Sequence, residues 1–303
     1  MRVVILSRKA SLYSTRRLVE ATREHGCEAV LLDPLACWLA CGRNDPAIYH
    51  GANGQRIADA AVVIPRVGPG VTEHALSVVN QFDVMNVPVV NMGYAIARAR
   101  DKLRSLQFLS RHDVDIPKTV MVRNPEPMAQ ALALVGGPPV VLKLLRGTQG
   151  IGVMLAETDA AVASIVHTLW SLGHDILVQE FIAESRGRDI RALVVGDTVV
   201  ASMRRVAPIG EFRSNIHRGG VGAAIDLPAE YARVAIEATR IMGLHVAGVD
   251  MLESASGPKV IEINASPGFE GLERATGVDV AGAIVRYAVE LAQARRAASR
   301  VHA

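Results

Sequence analysis

The chain has 303 residues, half of them apolar and 21% charged, with a formal net charge of +3. That length suits two or three packed lobes, and the composition excludes disorder, collagen-like repetition and a disulfide scaffold. The small net charge makes no case for a nucleic-acid partner.

No uncharged apolar stretch approaches the roughly 18 residues of a membrane span, so no membrane partner is expected. Cys27, Cys37 and Cys41 form neither a paired framework nor a zinc spacing, and the expected compartment is a reducing cytoplasm. Only five residues are lysine (Lys9, Lys102, Lys118, Lys143 and Lys259), so a lysine in an apolar setting calls for a reason.

Val3 to Leu6 reads as a first strand, its apolar core too short for a signal peptide. A helix is expected from about Ser14 to His25, stopped by Gly26, and then a strand Ala29 to Leu32. A loop rich in Gly, Asn and Asp (42–54) leads to a strand Ala61 to Ile64, a helix Thr72 to Phe82 and a strand Val87 to Val90. Continuous apolar strands alternating with helices predict a parallel sheet covered on both faces, an α/β lobe over 1–95. One amphipathic helix from Ala95 to His112 forms a linker over 96–115, ending before Ile116-Pro117.

The second unit, 116–185, runs strand, helix (126–135), strand Val140 to Leu145, glycine-rich loop, strand Val153 to Ala156, helix (158–172) and strand Ile176 to Glu180. The third, 186–303, opens with two β runs around Gly196-Asp197, a hairpin pattern. A polar segment (208–222) and a helix (229–242) follow. Strands Val246 to Leu252 and Val260 to Asn264 flank a Ser-Ala-Ser-Gly turn, and a helix from about Val280 closes the chain.

Four places carry chemistry. Lys143 is centred in an aliphatic strand, where burial is costly unless an anion meets the ammonium. Four residues on, Gly147, Thr148, Gln149, Gly150 and Gly152 belong to a loop that exposes backbone N–H groups. The pair reads as a phosphate grip or as a structural hairpin loop with a snorkelling lysine.

Asp250 and Glu262 are equidistant from a turn centred near Ser256, so an antiparallel hairpin sets them opposite each other. Asn264 shares the face of Glu262, with Ile261 and Ile263 on the other. Three oxygen donors without His or Cys suit magnesium; a solvated hairpin face is the alternative. The strand exit at Glu180 and Phe181, followed by Asp189, can hold adenine and ribose or be a plain strand end. Arg204, Arg205, Arg213, Ser214 and Asn215, with His217 and Arg218, suit anion recognition or form an exposed basic loop.

Together these pieces resemble the ATP-grasp carboxylate–amine ligases, and within them the RimK group of ribosomal-protein glutamate ligases. The resemblance rests on Ile5 to Arg8, Leu12 to Ser14, Leu32 to Pro34, Ile64 to Gly68, Ala97 to Lys102, Gly147 to Gly152, Phe212 to Gly220 and Glu262 to Gly268. It implies an ATP-grasp fold of α/β and α+β lobes with an N-terminal Rossmann-like pre-ATP-grasp domain.

It further implies that Lys102 and Lys143 hold ATP, that Glu180 and Phe181 flank the adenine and that Asp189 holds the ribose. Arg213, Ser214 and Asn215 reach the nucleotide or the acyl phosphate; Arg205, Arg213 and Asn215 are the catalytic set. Asp250, Glu262 and Asn264 bind two magnesium ions, or manganese, and Arg66 and Arg205 are carboxylate holders. Where some relatives place an arginine two residues before the metal aspartate, this chain has Gly248, and the resemblance assigns that role to Arg205 or Arg213.

The implied reaction joins L-glutamate to the C-terminus of the sixth small-subunit ribosomal protein, with poly-α-glutamate as a second product and a homotetramer as the assembly. Two other readings are a ligase joining another amino acid to a small carboxylate, and a non-catalytic nucleotide-binding ribosome-associated protein. The joint presence of Lys143, Asp250, Glu262 and Asn264 argues against the last.

Overall fold

The computed structural model describes residues 1–43, 45–68, 72–145, 152–214 and 219–301. The first sheet is parallel, with β1 (Arg2–Leu6) between β2 (Glu28–Leu32) and a later strand, Ala60–Pro65. Helix α1 (Tyr13–Glu24) crosses from β1 to β2. Three short strands lie within and on either side of the expected loop (42–54): β3 (Cys37–Ala40), β4 (Ala47–His50) and β5 (Gln55–Arg56) form a small antiparallel sheet. The Trp38 and Tyr49 rings stack across it, their centroids 4.2 Å apart. Strand β6 (Ala60–Pro65) and helix α2 (Thr72–Val84) follow. The expected strand at Val87 to Val90 is reduced to one parallel bridge between Val89 and Val63.

The linker is two helices rather than one, α3 (Gly93–Arg100) and α4 (Lys102–Arg111). Asp101 breaks the run: its backbone is extended, and its carboxylate accepts a hydrogen bond from the Arg104 N–H at 3.0 Å. Aspartate is a strong N-cap because it satisfies an orphan amide, and here that local preference overrides continuous amphipathic periodicity.

The second sheet is antiparallel, in the order β7, β10, β8, β9, from β7 (Thr119–Val122), β8 (Val140–Leu144), β9 (Val153–Ala156) and β10 (Ile176–Glu180). Helices α5 (Met128–Val135) and α6 (Asp159–Ser171) cover it. The third sheet is also antiparallel, in the order β13, β12, β11, β14, β15. It comprises β11 (Arg188–Val195), β12 (Thr198–Val206), β13 (Val221–Ala224), β14 (Val246–Ser254) and β15 (Gly257–Asn264), with helices α7 (Ala229–Ile241), α8 (Glu270–Thr276) and α9 (Val280–Val301). Strand β13 begins at the end of the expected polar segment (208–222) and runs past it, and α8 carries no strong apolar periodicity.

Two hydrophobic clusters join the first and third lobes. One packs Leu6, Val63 and Phe82 with Ile190, Val249 and Met251; the other packs Ile5 and Val62 with Leu193, Phe269 and Ile284. The second lobe has a separate cluster built around Leu142, Val162 and Val178. Burying each such side chain is worth about 1.5–3 kcal/mol.

Asn91 ties the joined lobes by polar contacts as well. Its Nδ2 donates to the carbonyls of Val246 and Ala265, both at 2.7 Å, while its Oδ1 accepts from the amides of His245 and Val246. All four amide valences of a fully buried side chain are thereby satisfied.

Candidate active site

A cavity of about 150 Å³ opens between the second and third sheets. Lys143 enters it from β8, Glu180 and Phe181 from the end of β10, Asp189 from β11, Arg205 from β12, Asp250 from β14 and Glu262 from β15. Lys102 reaches it from the first turn of α4, and Arg213 and Ser214 from the segment after β12. Apolar walls come from Leu106, Val141, Val153, Leu177 and Leu252.

Gly147, Thr148, Gln149, Gly150 and Asn215 lie outside the described residues. Gly152 and Asn264 do not line the cavity but adjoin it in sequence and register. At Gly152 φ is +77°, and a Cβ would meet the Leu144 side chain at 2.7 Å, so only glycine fits where the loop rejoins β9.

Lys143 pairs with Leu177 of β10 and Val153 of β9, which holds its ammonium inside the lobe rather than at an edge. Burial pushes its pKa down to about 8, against the attraction of Glu262 and Asp250 and with the repulsion of Lys102. A cation kept in place at that cost is suited to an anionic ligand. At the opposite wall, the Glu180 carboxylate accepts from the Lys118 amide at 3.0 Å, and the Glu180 amide donates to the Lys118 carbonyl. This ties β10 to the segment entering β7. The Arg186 guanidinium stands 6.0 Å over the Phe181 ring.

Asp250 lies opposite Glu262 in the register of β14 and β15, and Asn264 opposite Gly248. The register shifts by one residue between Asp250 and Met251, leaving Ile261 as the unpaired residue of a bulge, and both Ile261 and Ile263 line the cavity beside Glu262, which corrects their expected place on the far face. Asp250 is 2% exposed. Its Oδ1 accepts from Arg191 Nε at 2.6 Å, and its Oδ2 accepts from Arg191 Nη2 at 2.5 Å and Arg205 Nη2 at 3.1 Å. Burial alone would raise its pKa; the two guanidiniums overcome this and hold the carboxyl below its ordinary value.

Arg205, 3% exposed, also grips Asp189 through two hydrogen bonds of 2.6 and 2.5 Å. Its own pKa is raised, since Asp250 and Asp189 outweigh its desolvation. Arg205 therefore orients two cavity carboxylates. Arg213 is bound to Glu211 through Nε at 2.9 Å and Nη2 at 2.7 Å, and reaches the Val153 carbonyl at 3.2 Å. The hydrogen bond from the Arg213 side chain is the main force pulling the Glu211 pKa down to about 2.

The donors left over fit a hard cation. A carboxylate offers about four lone-pair sites, and three of those on Asp250 are taken, leaving one on Oδ1. Glu262 is exposed and makes no ion pair among the described residues. The buried Nδ2 of Asn264 has no hydrogen-bond partner; because amide O and N are assigned from such partners, this end of the side chain is open to an oxygen-seeking ligand. No cluster of three His, Cys, Asp or Glu suited to a metal occurs among the described residues, consistent with a set of two acids and an amide.

Sequence reasoning missed Arg191, Glu211 and Asn91. Arg191 was within reach, since the two-residue strand period places it on the face of Asp189.

A lysine strand and an acid hairpin facing each other across a cleft, behind a separate parallel-sheet lobe, match known families. The family model described as RimK-like ATP-grasp domain covers residues 99–288, and that of the RimK PreATP-grasp domain covers residues 1–96. The chain belongs to the RimK-like ATP-grasp family. Its three lobes are an ATP-grasp fold preceded by a pre-ATP-grasp domain, and the chain is a ligase of that family.

A protein of Vibrio cholerae named probable alpha-L-glutamate ligase is 47% identical over 300 residues, 99% of each chain. One of Pseudomonas aeruginosa with the same name is 50% identical over 287 residues, 95% of each. The ATP-grasp ligase PsnB, solved with its minimal precursor, Mg and ADP, shares the fold at a TM-score of 0.76 and 22% identity, covering 96% of this chain and 98% of that one. Among the described residues of this RimK-like protein no helix is long and apolar enough to cross a membrane.

Proposed function

We propose that this RimK-like protein is an ATP-dependent α-L-glutamate ligase. Its acceptor would be the C-terminal carboxylate of the sixth small-subunit ribosomal protein, with glutamate chains as a second product. The observation that carries the reading is Lys143, a strand-borne cation lowered by burial, set in one cavity with Asp250 and Glu262. Relatives spanning nearly the whole chain carry the glutamate-ligase name, and the structural neighbour was solved with Mg and ADP.

In this reading Lys102 and Lys143 meet the nucleotide phosphates, with Arg213, Ser214, Asn215 and the loop of Gly147, Thr148, Gln149, Gly150 and Gly152. Glu180 and Phe181 flank the adenine. Asp189, oriented by Arg205, meets the ribose.

Glu262, Asn264 and the remaining lone pair of Asp250 would hold magnesium, one ion or two, or manganese, which would offset phosphate charge. An acceptor carboxylate oxygen attacks the γ-phosphorus, ADP leaves, and an acyl phosphate forms. The glutamate amine then attacks the acyl carbon and loses a proton, and phosphate departs as the amide forms. Lys143 and Arg213 stabilise the charge that develops on the phosphoryl oxygens.

The test is mass spectrometry of the purified protein with ATP, magnesium, L-glutamate and the ribosomal protein, beside a sample lacking the ribosomal protein. A ladder of glutamyl additions supports the full reading. ADP formation without the ladder moves the acceptor to glutamate or a small carboxylate, and absence of ADP refutes ligase activity.

A further inference from the structure

Strand β10 divides its residues between two faces. Ile176 and Val178 join the hydrophobic cluster under α5 and α6, while Leu177 and Gln179 line the cavity. Gln179 pairs with Val141 of β8 on one side and with Thr119 of β7 on the other. It is 2% exposed, and its neighbours on the cavity wall, Val141 and Leu177, are apolar. A side-chain amide buried so deeply is costly unless its polar atoms find partners.

A short relay fixes which way that amide points. The Thr119 hydroxyl donates to the Pro117 carbonyl at 2.8 Å, and Gln179 Nε2 donates to Thr119 Oγ1 at 2.8 Å. A carbonyl can only accept, so the one hydroxyl proton is spent on Pro117 and Thr119 Oγ1 is left as an acceptor. Turning the amide over would set two acceptors together or strip the Pro117 carbonyl of that donor. The Gln179 carbonyl oxygen therefore points away from Thr119, and it has no hydrogen-bond partner among the described residues. Nor is that oxygen sealed in the packing, so the space it meets is the cavity its residue lines.

Its level along the wall gives the oxygen a partner. Leu177 pairs with Lys143, and Gln179 stands two residues further along the strand, about 7 Å. Gln179 thus lies on the side of the strand exit at Glu180 and Phe181, which is the base end of the cavity when Lys143 meets the phosphates.

We infer that Gln179 reads the nucleobase: its fixed carbonyl oxygen accepts a hydrogen bond from the 6-amino group of adenine and excludes bases that carry oxygen at that position. This deepens the ATP reading and rests on it. Guanine and hypoxanthine present a 6-oxo acceptor, which would face the amide oxygen with no proton between them. An unrestrained glutamine would rotate its amide by half a turn and offer its NH2 group instead. Here that rotation costs a bond of the relay, either Gln179 to Thr119 or Thr119 to Pro117. Thr119 is a positioning residue, and Gln179 is the one that touches the base.

The test is isothermal titration calorimetry of the full chain with magnesium and either ADP or IDP, which differ only at the 6 position and the adjoining N1 proton. The unaltered chain is expected to bind ADP about 10- to 100-fold more tightly than IDP, the range for a lost hydrogen bond that leaves buried acceptors opposed. Gln179→Leu should weaken ADP binding about tenfold and bring the two affinities together. In Thr119→Val the amide is released to turn, so IDP affinity should rise and the preference should fall to about threefold or less. A merely structural role for Thr119 would lower both affinities alike and leave their ratio unmoved, which overturns the relay.

Should one variant fail to fold by circular dichroism, the other carries the comparison, and the ratio for the unaltered chain needs no variant. Equal affinity for ADP and IDP in the unaltered chain, or a preference retained in Gln179→Leu, overturns the assignment alone. Absence of binding by either nucleotide overturns the ATP reading and this assignment with it.

Discussion

Arg191 and Asp250 stand opposite each other in the register of β11 and β14, and two hydrogen bonds of 2.6 and 2.5 Å join their side chains. Because Arg205 bridges from Asp250 to Asp189, four charged groups on three adjacent strands form one continuous set. Their cost of desolvation is offset only while each charge has its partner.

Replacing Arg205 with Met should therefore destabilise the chain by about 3–5 kcal/mol, since it strips two buried carboxylates of a common donor. Chemical denaturation would measure it, and a loss below about 1 kcal/mol would contradict the assignment. The pH dependence has a definite sign. Asp250 is held below its ordinary pKa, so its contribution is present above the ordinary carboxylate range and lost as pH falls through the depressed value. In Arg205→Met the acid limb of the stability curve should move to higher pH.

Lys143 predicts a second pH effect. Its pKa falls from 10.5 to about 8 on burial, so in the free fold it releases its proton while the unfolded chain still holds one. Folding stability should then rise as pH climbs from about 8 toward 10.5. Affinity for ADP, measured by calorimetry in EDTA, should weaken above about pH 8. The limiting slope is about tenfold per pH unit. Lys143→Met should bind weakly and show no such slope; a slope retained in the variant would place the titration elsewhere.

Gly248→Ala tests the packing behind the acid hairpin. The new methyl group would meet Pro267 Cβ at 2.8 Å and Asn264 Cβ at 3.8 Å. Overpacking of this kind costs about 1–3 kcal/mol. The expected outcome is a lower melting temperature and reduced ligation with ADP affinity retained, because the strain falls on the 264–268 side and not on Lys143. An unchanged melting temperature would show that the loop yields freely.

Glu262→Gln removes a cation-binding charge from an exposed side chain. Ligation should fall by about 100-fold or more, several kcal/mol of transition-state stabilisation, while ADP affinity in EDTA stays close to that of the unaltered chain. Activity near the original level would exclude Glu262 from the metal site.

The alternation of strands and helices and the two hairpins were legible in the sequence because strand period and turn residues are local signals; that Lys143, Glu180, Asp189, Asp250 and Glu262 gather around one cavity was implied by the family resemblance and not by any local pattern. The bulges were not legible. Counting back from the Gly196-Asp197 turn sets Asp189 opposite Arg204; a register shift between Leu193 and Val194 brings Arg205 there instead. The Asp250–Glu262 pairing came out correctly because two departures cancel. The turn closes between Ser254 and Gly257, so its centre falls between Ala255 and Ser256 and would set Asp250 opposite Ile261; the bulge beside Asp250 restores Glu262. Asn91 was invisible because the three residues it bonds, His245, Val246 and Ala265, lie 154 to 174 residues away, beyond any local pattern.

The separate hydrophobic cluster of the second lobe bears on how the molecule melts. Residues of the first and third lobes interlock in two common clusters, so they should lose structure together, whereas the second sheet with α5 and α6 can open as its own cooperative block. The cavity lies on the seam between the blocks, with Lys143 on one side and Asp250 and Glu262 on the other. A nucleotide bridging that seam binds only when both blocks are folded, and its binding energy becomes a coupling between them. Calorimetric scans should therefore show two heat-absorption transitions without ligand and one, at higher temperature, with saturating ADP.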